Sequence, residues 1–483
     1  MIKKELHECL QDNISNIKNT FHHTSDLIVR KIKTGFPNSF EINIVYLDGI
    51  IDTDRIQEYV VKPLLEPFKT LEFKESLIDE IIERIFETAD VKTTNQYKGL
   101  IDAIVQGNTI ILINGYQKGI IIPSAKWKER SLEESQGERS PKGPVIGLTE
   151  QMKTNINLIR STIKTPDLCV EAMEFGTISK TAVSILFIAG TVDKGILMEV
   201  RKRLKSLKIK YLLNSKVVEY VLEGKPRTIF NLARTTGRID GVVSSLYEGR
   251  VAIIVDGFPH AIITPTLFMD MFQAPDEYHV KMGWFTNRII RMICFILAVY
   301  SPGVYVAIAN FHKDDLPNKV SKAIITKDEL LPTFWELAIL LFFIRVLLDA
   351  SFRIPKSAVI LLSLIGTIVV GETAVTAKLI HPVSLIIVGI TAISSYLLAN
   401  RGTLAAENTL RLLFLIIAHF FGFNGLIIAS TILIIYMVSL KSLGVPYLSP
   451  LIPFRIQELK DTFYRGDLQT LINSKHTYTE DND

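Results

Sequence analysis

The sequence predicts an α/β N-terminal soluble region of two similar subdomains, followed by an α-helical polytopic membrane domain. Only 20 of the 104 charged residues of the 483-residue chain lie between Ile289 and Pro450, although this segment is a third of the sequence. Long apolar runs fill the same segment and raise the mean hydropathy to +0.27. This division excludes a fully soluble protein, a disordered one and a purely polytopic transporter.

The N-terminal region contains an internal repeat. GNTIILINGYQKGIIIPS (107–124) aligns without a gap with GRVAIIVDGFPHAIITPT (249–266), and VYLDGIID (45–52) aligns with LFIAGTVD (186–193). Asn-Gly and Asp-Gly between β-branched runs are strong hairpin signals, because both residues accept a positive φ. We therefore expect two α/β subdomains that each end in a β-hairpin, with convergence of two short apolar hairpins as the alternative.

Predicted strands alternate with helical patterns along this region. The strands are β-branched apolar runs, at 41–49, 108–116, 118–124, 181–190 and 250–266. Amphipathic patterns at 52–68 and 195–207 predict helices between them, which indicates α/β organisation. Two charged stretches rich in turn residues, 128–147 and 223–241, are expected to be exposed loops.

The membrane domain begins with an apolar run from Ile289 to Phe311, which is long enough to cross a hydrocarbon core of about 30 Å. Pro302 is expected to kink this helix. Basic residues at its start, and an N-terminus without an apolar signal core, place the N-terminal region in the cytoplasm. With the later runs at 334–355, 357–371, 383–400 and 410–440, we expect about four to six crossings. The last run breaks at 422–425 and predicts a tight hairpin of two short helices.

The predicted organisation has five parts. They are a first subdomain (1–127), a linker (128–147), a second subdomain (148–288), the transmembrane helical domain (289–450) and a polar C-terminal tail (451–483).

Ionisable and small polar residues inside apolar sequence are the candidate functional residues. Such groups are costly at membrane depth and by default indicate a pathway for ions or a packed helix interface. The candidates for a pore or gate are Thr367, Val370, Gly371, Glu372, Thr376 and Lys378. An interfacial loop from Glu372 to His381 is an equal alternative. Arg345, Asp349 and Arg353 form one helical stripe and are candidates for an interface or for coupling.

No catalytic motif stands out in the sequence. Glycine-rich nucleotide loops, zinc-protease motifs and nucleophile elbows are missing, so an enzyme is not expected, and no cofactor or metal site is predicted. His22-His23 is expected to be solvated. The acidic residues at strand ends are expected to serve in turns and caps, namely Asp48, Asp52, Asp193 and Asp256.

Nine short motifs in fixed order resemble the A-subunit family of spore germinant receptors, the GerA family. They are RSLEE (130–134), GP (143–144), TNINLIR (154–160), EGRVAIIVDGFPHAIITPT (248–266), QAPDEYH (273–279), YVAIANFHKDDLP (305–317), RIPKS (353–357), GETAVTAKLIHPVSLIIVGITAISSY (371–396) and SLKSLGVPYLSP (439–450).

The chain departs from the family pattern at three places, 228–240, 348–355 and 370–375. The family usually has a neutral amide where this chain has Glu372, so the chain resembles a divergent member of the family, and the resemblance does not determine its ion preference or gating.

The resemblance implies a subunit of a nutrient-sensing complex in the spore inner membrane, with a permease-like B subunit and a lipoprotein C subunit as partners. It also implies a homo-oligomer, expected to be a pentamer, that forms a nutrient-gated channel for monovalent cations. A secondary transporter or its accessory subunit, and a membrane-anchored assembly scaffold, are the alternatives. No nucleic-acid partner is expected, because the net charge of +4 is small and dispersed.

Overall fold

The computed structural model describes residues 5–33, 41–65, 78, 81–82, 91–126, 146–224, 228–273, 283–313, 317, 331–351, 371–398, 404–455 and 479. The chain divides into two compact units. The first contains Met1–Pro226, Ala233–Pro265 and Lys475–Asp483, and the second contains Arg227–Leu232 and Thr266–Ser474.

Two five-stranded antiparallel sheets form the framework of the first unit. The strands of the first sheet are β1 (Leu27–Lys33), β2 (Glu41–Leu47), β3 (Lys92–Thr94), β4 (Thr109–Ile113) and β5 (Gly119–Ile122). Those of the second are β6 (Leu168–Phe175), β7 (Thr181–Ile188), β8 (Arg234–Thr236), β9 (Val251–Val255) and β10 (Ala261–Thr264). The spatial orders, β1-β2-β4-β5-β3 and β6-β7-β9-β10-β8, are the same, so the predicted pair of similar α/β subdomains is confirmed.

Helices complete both subdomains. They are α1 (Leu10–Thr20), α2 (Thr53–Ile56), α3 (Lys62–Leu65), α4 (Tyr97–Val105), α5 (Met152–Thr162), α6 (Lys194–Lys205), α7 (Lys216–Glu223) and α8 (Ile239–Tyr247). A π-helical turn, Gln57–Val61, joins α2 to α3. Every residue of β4 and β9 is buried, which is expected of central strands that have both faces covered.

The repeat extends to individual hydrogen bonds. In the first subdomain the buried Asn13 side chain accepts from the His7 amide at 2.9 Å and donates to the His7 carbonyl at 2.7 Å. In the second subdomain Asn155 does the same with Thr149, at 2.8 and 2.6 Å. These bonds fix the chain that enters α1 and α5. A shared network of this kind makes convergence of two unrelated hairpins a poor explanation.

The predicted hairpins connect β4 to β5 and β9 to β10. Gly115 and Gly257 each have a φ of 87°, the left-handed region that favours glycine at such turns. The residues before them also cap a helix, because Asn114 accepts from the Leu10 amide and Asp256 from the Met152 amide. The aspartates that precede α2 and α6 are N-caps, as the sequence predicts: Asp52 accepts from the Arg55 amide and Asp193 from the Ile196 amide.

The stretch 223–241 is not the exposed loop that its composition predicts. It contains β8 and the start of α8, and Phe230 and Leu232 are almost fully buried. The Phe230 ring lies 5.7 Å from the ring of Tyr447, and the Ser442 hydroxyl donates to the Leu232 carbonyl at 2.6 Å. The burial of Phe230 and Leu232 therefore orders this stretch, although it contains many charged and turn-forming residues.

The second unit is mainly helical. Its elements are a 3₁₀ turn (Phe268–Phe272), α9 (Gly283–Phe311), α10 (Thr333–Ser351), α11 (Thr373–Thr376), α12 (Pro382–Leu397), α13 (Leu404–Ser439) and the short ladder of β11 (Lys441–Ser442) with β12 (Val445–Pro446). Among the described residues two helices are long and apolar enough to cross a membrane, at Arg288–Phe311 and Leu404–Ser439. The predicted run at 357–371 lies almost entirely outside the described residues, and the number of crossings stays a prediction.

Helix α13 is interrupted at Gly422, whose φ of 60° and ψ of −146° are not helical. Tyr300 contacts both sides of the break: its ring stacks on Phe414 at 4.7 Å and its hydroxyl lies 2.9 Å from that of Ser430. Sixteen residues of continuous helix would separate those two positions by about 24 Å. The chain therefore reverses at Gly422, close to the predicted break, and forms two antiparallel half-helices.

Candidate functional site

Glu336 is a buried carboxylate at the junction of α10 and α12. Its side chain is 1% exposed, and its Oε2 accepts from the Ser384 hydroxyl at 2.6 Å and from the His381 amide at 3.3 Å. His381 is the N-cap of α12, so this carboxylate lies at the positive end of that helix. Among the described residues, its Oε1 has no hydrogen-bond partner. The buried carboxyl group of Glu336 therefore joins α10 to the start of α12.

Arg411 forms a second buried polar link, between α13 and α9. Pro302 lies inside α9 and has no amide hydrogen, which leaves the Ala298 carbonyl without its donor in the helix. The Arg411 Nε donates to that carbonyl at 2.6 Å. Glu407, one turn earlier and fully buried, lies 3.9 Å from the guanidinium. A buried carbonyl that loses its helical donor needs another one, and Arg411 supplies it here.

A hydroxyl pair ties α9 to α12. The Ser301 and Thr391 hydroxyls lie 2.9 Å apart, and Thr391 is fully buried. Small polar residues of this type pack helices closely in lipid and give them specific registers. Together with Glu336 and Arg411, they place polar side chains at three helix-helix junctions of the second unit.

The predicted pore residues that the structure describes lie on a short turn before α12. Gly371 and Glu372 begin it in a π-helical conformation, α11 follows, and Lys378 has a positive φ of 54°. Glu372, Thr376 and Lys378 are exposed, and the Thr376 hydroxyl donates to the Glu372 carbonyl at 2.8 Å. Thr367 and Val370 lie outside the described residues. A pore-lining role for these residues and the alternative of an interfacial loop both stay predictions.

The charge stripe of α10 is present where the structure describes it. Arg345 and Asp349 form an exposed ion pair at 3.3 Å, one helical turn apart. Arg353 lies outside the described residues. Both side chains are about half exposed, and their role at an interface or in coupling stays a prediction.

Sequence reasoning missed the residues that the structure brings together in this unit. Glu336 is one of several charges in an apolar run, and Glu407 and Arg411 stand at the edge of another. The available signal was the combination of a proline inside one apolar run with an arginine near another, because a freed carbonyl needs a donor. Their spatial proximity depends on helix packing, which the sequence alone does not show.

Titratable groups of the first unit have shifted pKa values of structural origin. Burial lowers the pKa of His260, whose Nε2 lies 2.7 Å from the Ser215 hydroxyl. A hydrogen bond from Lys126, at 2.7 Å, lowers the pKa of Asp52. Asp52, Lys126 and Arg55 also line a surface cavity of about 430 Å³. In the described part of the chain, no three His, Cys, Asp or Glu residues are grouped as metal ligands.

Comparison with known proteins gives a consistent result. The model of a family described as the Bacillus/Clostridium GerA spore germination protein matches residues 15–477. Spore germination protein KA of Bacillus subtilis is 32% identical over 94% of this chain and 84% of its own length. Spore germination protein GerLA of Bacillus cereus is 30% identical over 95% of this chain and 94% of its own length.

Two further comparisons concern a membrane protein and a solved structure. The uncharacterized membrane protein YfkQ of Bacillus subtilis is 29% identical over 98% of this chain and 92% of its own length. The crystal structure of the N-terminal domain of the A subunit of the Bacillus megaterium spore germinant receptor GerK3 is 30% identical and covers 56% of this chain and 98% of that domain, with a TM-score of 0.44. Because the family model matches nearly the whole chain and a relative of similar length is 32% identical, this protein belongs to the GerA family of spore germination proteins.

Proposed function

We propose that this chain is the A subunit of a spore germinant receptor and that several copies form a nutrient-gated ion channel. The observation that carries the proposal is the family match over residues 15–477, which includes both the α/β unit and the helical unit. Polar side chains at the helix junctions support it, because such groups at membrane depth are costly and mark functional pathways. The chain acts without catalysis.

The proposed complex has two other kinds of subunit. A permease-like B subunit binds the nutrient, and a lipoprotein C subunit completes the receptor in the spore inner membrane. The A subunit is a multi-pass protein with its N-terminal unit in the spore core, and its homo-oligomer is a pentamer. Two apolar helices in the described residues, and the likeness to a protein named as a membrane protein, support the location.

Gating in this proposal is a shift between closed and open arrangements. A bound nutrient opens the channel only by the difference between its affinities for the two arrangements. Glu336 joins α10 to the start of α12, which follows the turn at 371–378. Arg411 joins α13 to α9, and the Ser301–Thr391 pair joins α9 to α12, so a displacement of α10 or α13 would reach this turn through these contacts. This turn, with Thr367 and Val370 before it, forms the entrance or the narrow part of the pathway.

The direct test is electrical. The A, B and C subunits are reconstituted together in planar bilayers and exposed to a mixture of amino acids, sugars and nucleosides. We expect cation current that requires both the mixture and the A subunit. A complete complex that stays silent in every nutrient mixture, while still releasing no cations from vesicles, contradicts the channel.

A charge variant tests the pore residues separately. Glu372→Gln removes the one acidic side chain of the 371–378 turn, so we expect a lower preference for cations over anions in the reversal potential. Asp102→Asn is the control, because it removes an exposed carboxylate from α4 in the first unit, away from the proposed pathway. Equal selectivity in the wild type and Glu372→Gln would place Glu372 outside the pathway without affecting the receptor proposal.

A further inference from the structure

The two subdomains of the first unit contact each other through an asymmetric interface. A corner of the first subdomain, residues 24–26, contacts α5 and β6 of the second. The Arg160 guanidinium donates to both carboxylate oxygens of Asp26, at 2.7 and 2.9 Å, and both side chains are buried. Thr24 accepts from the Val170 amide at 2.8 Å. A paired buried charge of this kind marks a specific interface and not a chance contact.

A second set of contacts lies beside this corner, at the turn after β2. The Lys153 ammonium is 2.9 Å from the Asp48 carboxylate, and the Asn157 side chain donates to the Gly49 carbonyl. The first subdomain therefore uses its 24–26 corner and its 48–49 turn. The second subdomain uses a different surface, namely the side of α5 that carries Lys153, Asn157 and Arg160, and the edge strand β6. The interface is heterologous, because the two partners contribute non-equivalent surfaces.

The second subdomain repeats the corner that the first subdomain uses. Thr165-Pro166-Asp167 occupies the place of Thr24-Ser25-Asp26 directly before the edge strand. The internal hydrogen bond is also repeated: the Thr165 hydroxyl donates to Asp167 at 2.9 Å, and the Thr24 hydroxyl donates to Asp26 at 2.6 Å. Gly190, in the position of Gly49, also has a positive φ, of 77°.

The first subdomain repeats the receiving surface. Helix α1 aligns with α5, so Gln11, Ser15 and Lys18 occupy the positions of Lys153, Asn157 and Arg160. A basic residue that can pair with the aspartate of the corner is therefore present in both subdomains, as Lys18 in the first and Arg160 in the second. Arg160 and Asn157 are buried by the internal interface, whereas Ser15 and Lys18 are exposed. A Cβ atom at Gly190 would meet nothing within 4 Å, whereas one at Gly49 lies 3.6 Å from the Lys153 carbonyl.

We propose that a second copy of this chain occupies the exposed surface, so that the Thr165–Asp167 corner of one copy docks on α1 and β1 of the next. The inference rests on the homo-oligomer of the proposed function and specifies its contact. Charge complementarity supports the occupant, since Asp167 would meet Lys18 as Asp26 meets Arg160. A heterologous contact generates a ring when the rotation between successive copies closes. In the pentamer of the proposed function, each internal interface would alternate with an intermolecular one.

The intermolecular contact is expected to be weaker than the internal one. Lysine is a point charge and does not form the two parallel bonds that Arg160 makes with Asp26. Asp167 already lies 3.2 Å from His22 of its own chain, and both side chains are about half exposed. We therefore expect the internal interface to stay intact and the weaker intermolecular interface to be reversible. A reversible interface would allow a ring to change its arrangement when a ligand binds.

Crosslinking of the full-length chain in detergent tests the contact. The internal Asp48–Lys153 pair corresponds to Ala189 of one copy facing Gln11 of the next. In a Cys9→Ser background, which removes the exposed native thiol, Gln11→Cys with Ala189→Cys should give a ladder of covalent oligomers with a short bismaleimide. Gln11→Cys with the exposed Tyr211→Cys is the control and should remain monomeric. A product that stops at the dimer, or no product, overturns the heterologous contact.

Charge reversal gives an independent test. Lys18→Glu and Asp167→Lys should each reduce the crosslinked fraction about tenfold, since each replaces an attractive pair by like charges. The double variant should recover it. Protection of β6 amides from hydrogen exchange checks that each variant keeps the internal interface. Nutrient-gated current without these crosslinks would overturn the contact and leave the proposed function intact, whereas a chain that is monomeric and silent in the bilayer would overturn both.

Discussion

At the scale of residues, the second unit owes its specificity to a few buried polar groups that compensate one another. Pro302 removes a backbone donor from α9, and Arg411 supplies a replacement from α13. At Glu336 the side chain is the acceptor instead, because its carboxylate accepts hydrogen bonds from donors at the start of α12. Neither pair could be predicted from the sequence, because each joins residues that are far apart in the chain. The sequence did indicate that ionisable residues in apolar runs cost free energy unless they are paired.

The Pro302–Arg411 relation predicts non-additive effects. Pro302→Ala restores the amide of the helix, so the Ala298 carbonyl no longer depends on Arg411. We expect Arg411→Lys to cost about 1–3 kcal/mol in the wild-type background, because it leaves a buried carbonyl poorly satisfied, and clearly less beside Pro302→Ala. Thermal unfolding of the full chain in detergent measures both. Strictly additive losses would show that the two residues act independently.

The Glu336 clamp predicts a graded response. Glu336→Ala leaves the buried Ser384 hydroxyl and His381 amide without an acceptor, and we expect a loss of about 1–3 kcal/mol. Glu336→Gln keeps an acceptor in place and should cost less. Hydrogen exchange at the start of α12 gives the local readout. Trp335→Ala, at an exposed neighbouring position, is the control and should leave that exchange unchanged.

His260 predicts a pH dependence of the first unit. Burial lowers its pKa below the ordinary value of 6.5, so the unfolded chain binds a proton more readily than the folded one. Stability from neutral His260 is therefore complete above pH 6.5 and declines as the pH falls below it. His260→Gln should flatten this part of the profile, measured as hydrogen-exchange protection of β10 between pH 7.5 and 5. Identical slopes in both proteins would contradict this origin.

At the scale of elements, apolar strands were predicted well and edge strands were not. The predicted runs at 41–49 and 181–190 correspond to β2 and β7, which are central and mostly buried. The edge strands β1 and β6 were missed, since LIVRKIK and LCVEAMEF carry charges that obscure the two-residue period. Edge positions tolerate such charges because one side of the strand has no neighbour in the sheet. These edges are also the surfaces that the subdomain contacts use.

The break in α13 depends on one glycine. At a φ of 60° and a ψ of −146°, Gly422 adopts a backbone that an L side chain rarely accepts, and a Cβ there would lie 3.0 Å from the Phe311 ring. We expect Gly422→Ala to destabilise the unit by about 1–3 kcal/mol. Gly389→Ala in α12 meets nothing within 4 Å and is the matched control. Equal melting temperatures in detergent for the two variants would argue against a strained turn.

At the scale of the whole molecule, the internal repeat carried most of what the sequence could predict. Alignment of two hairpins was enough to expect two subdomains of one fold, and the structure shows the same strand order in both. The asymmetric way in which they join was not predictable, because Asp26 and Arg160 are unremarkable charges in the sequence. Only the structure shows that Arg160 is buried in this interface, whereas the equivalent Lys18 is exposed.

The reversal at Gly422 has a consequence for membrane topology. In the multi-pass arrangement proposed above, residues 404–421 and 423–439 would enter and leave on the same side, because the chain reverses at Gly422. The two halves of α13 would then contribute an even number of crossings. In that arrangement α13, which looks like one long span in hydropathy, would not change whether the number of crossings is odd or even. Ala405→Cys and Lys441→Cys, both exposed, should react with an impermeant maleimide from the same side of a sealed vesicle. A C-terminal reporter would then show whether the number of crossings before residue 404 is odd or even.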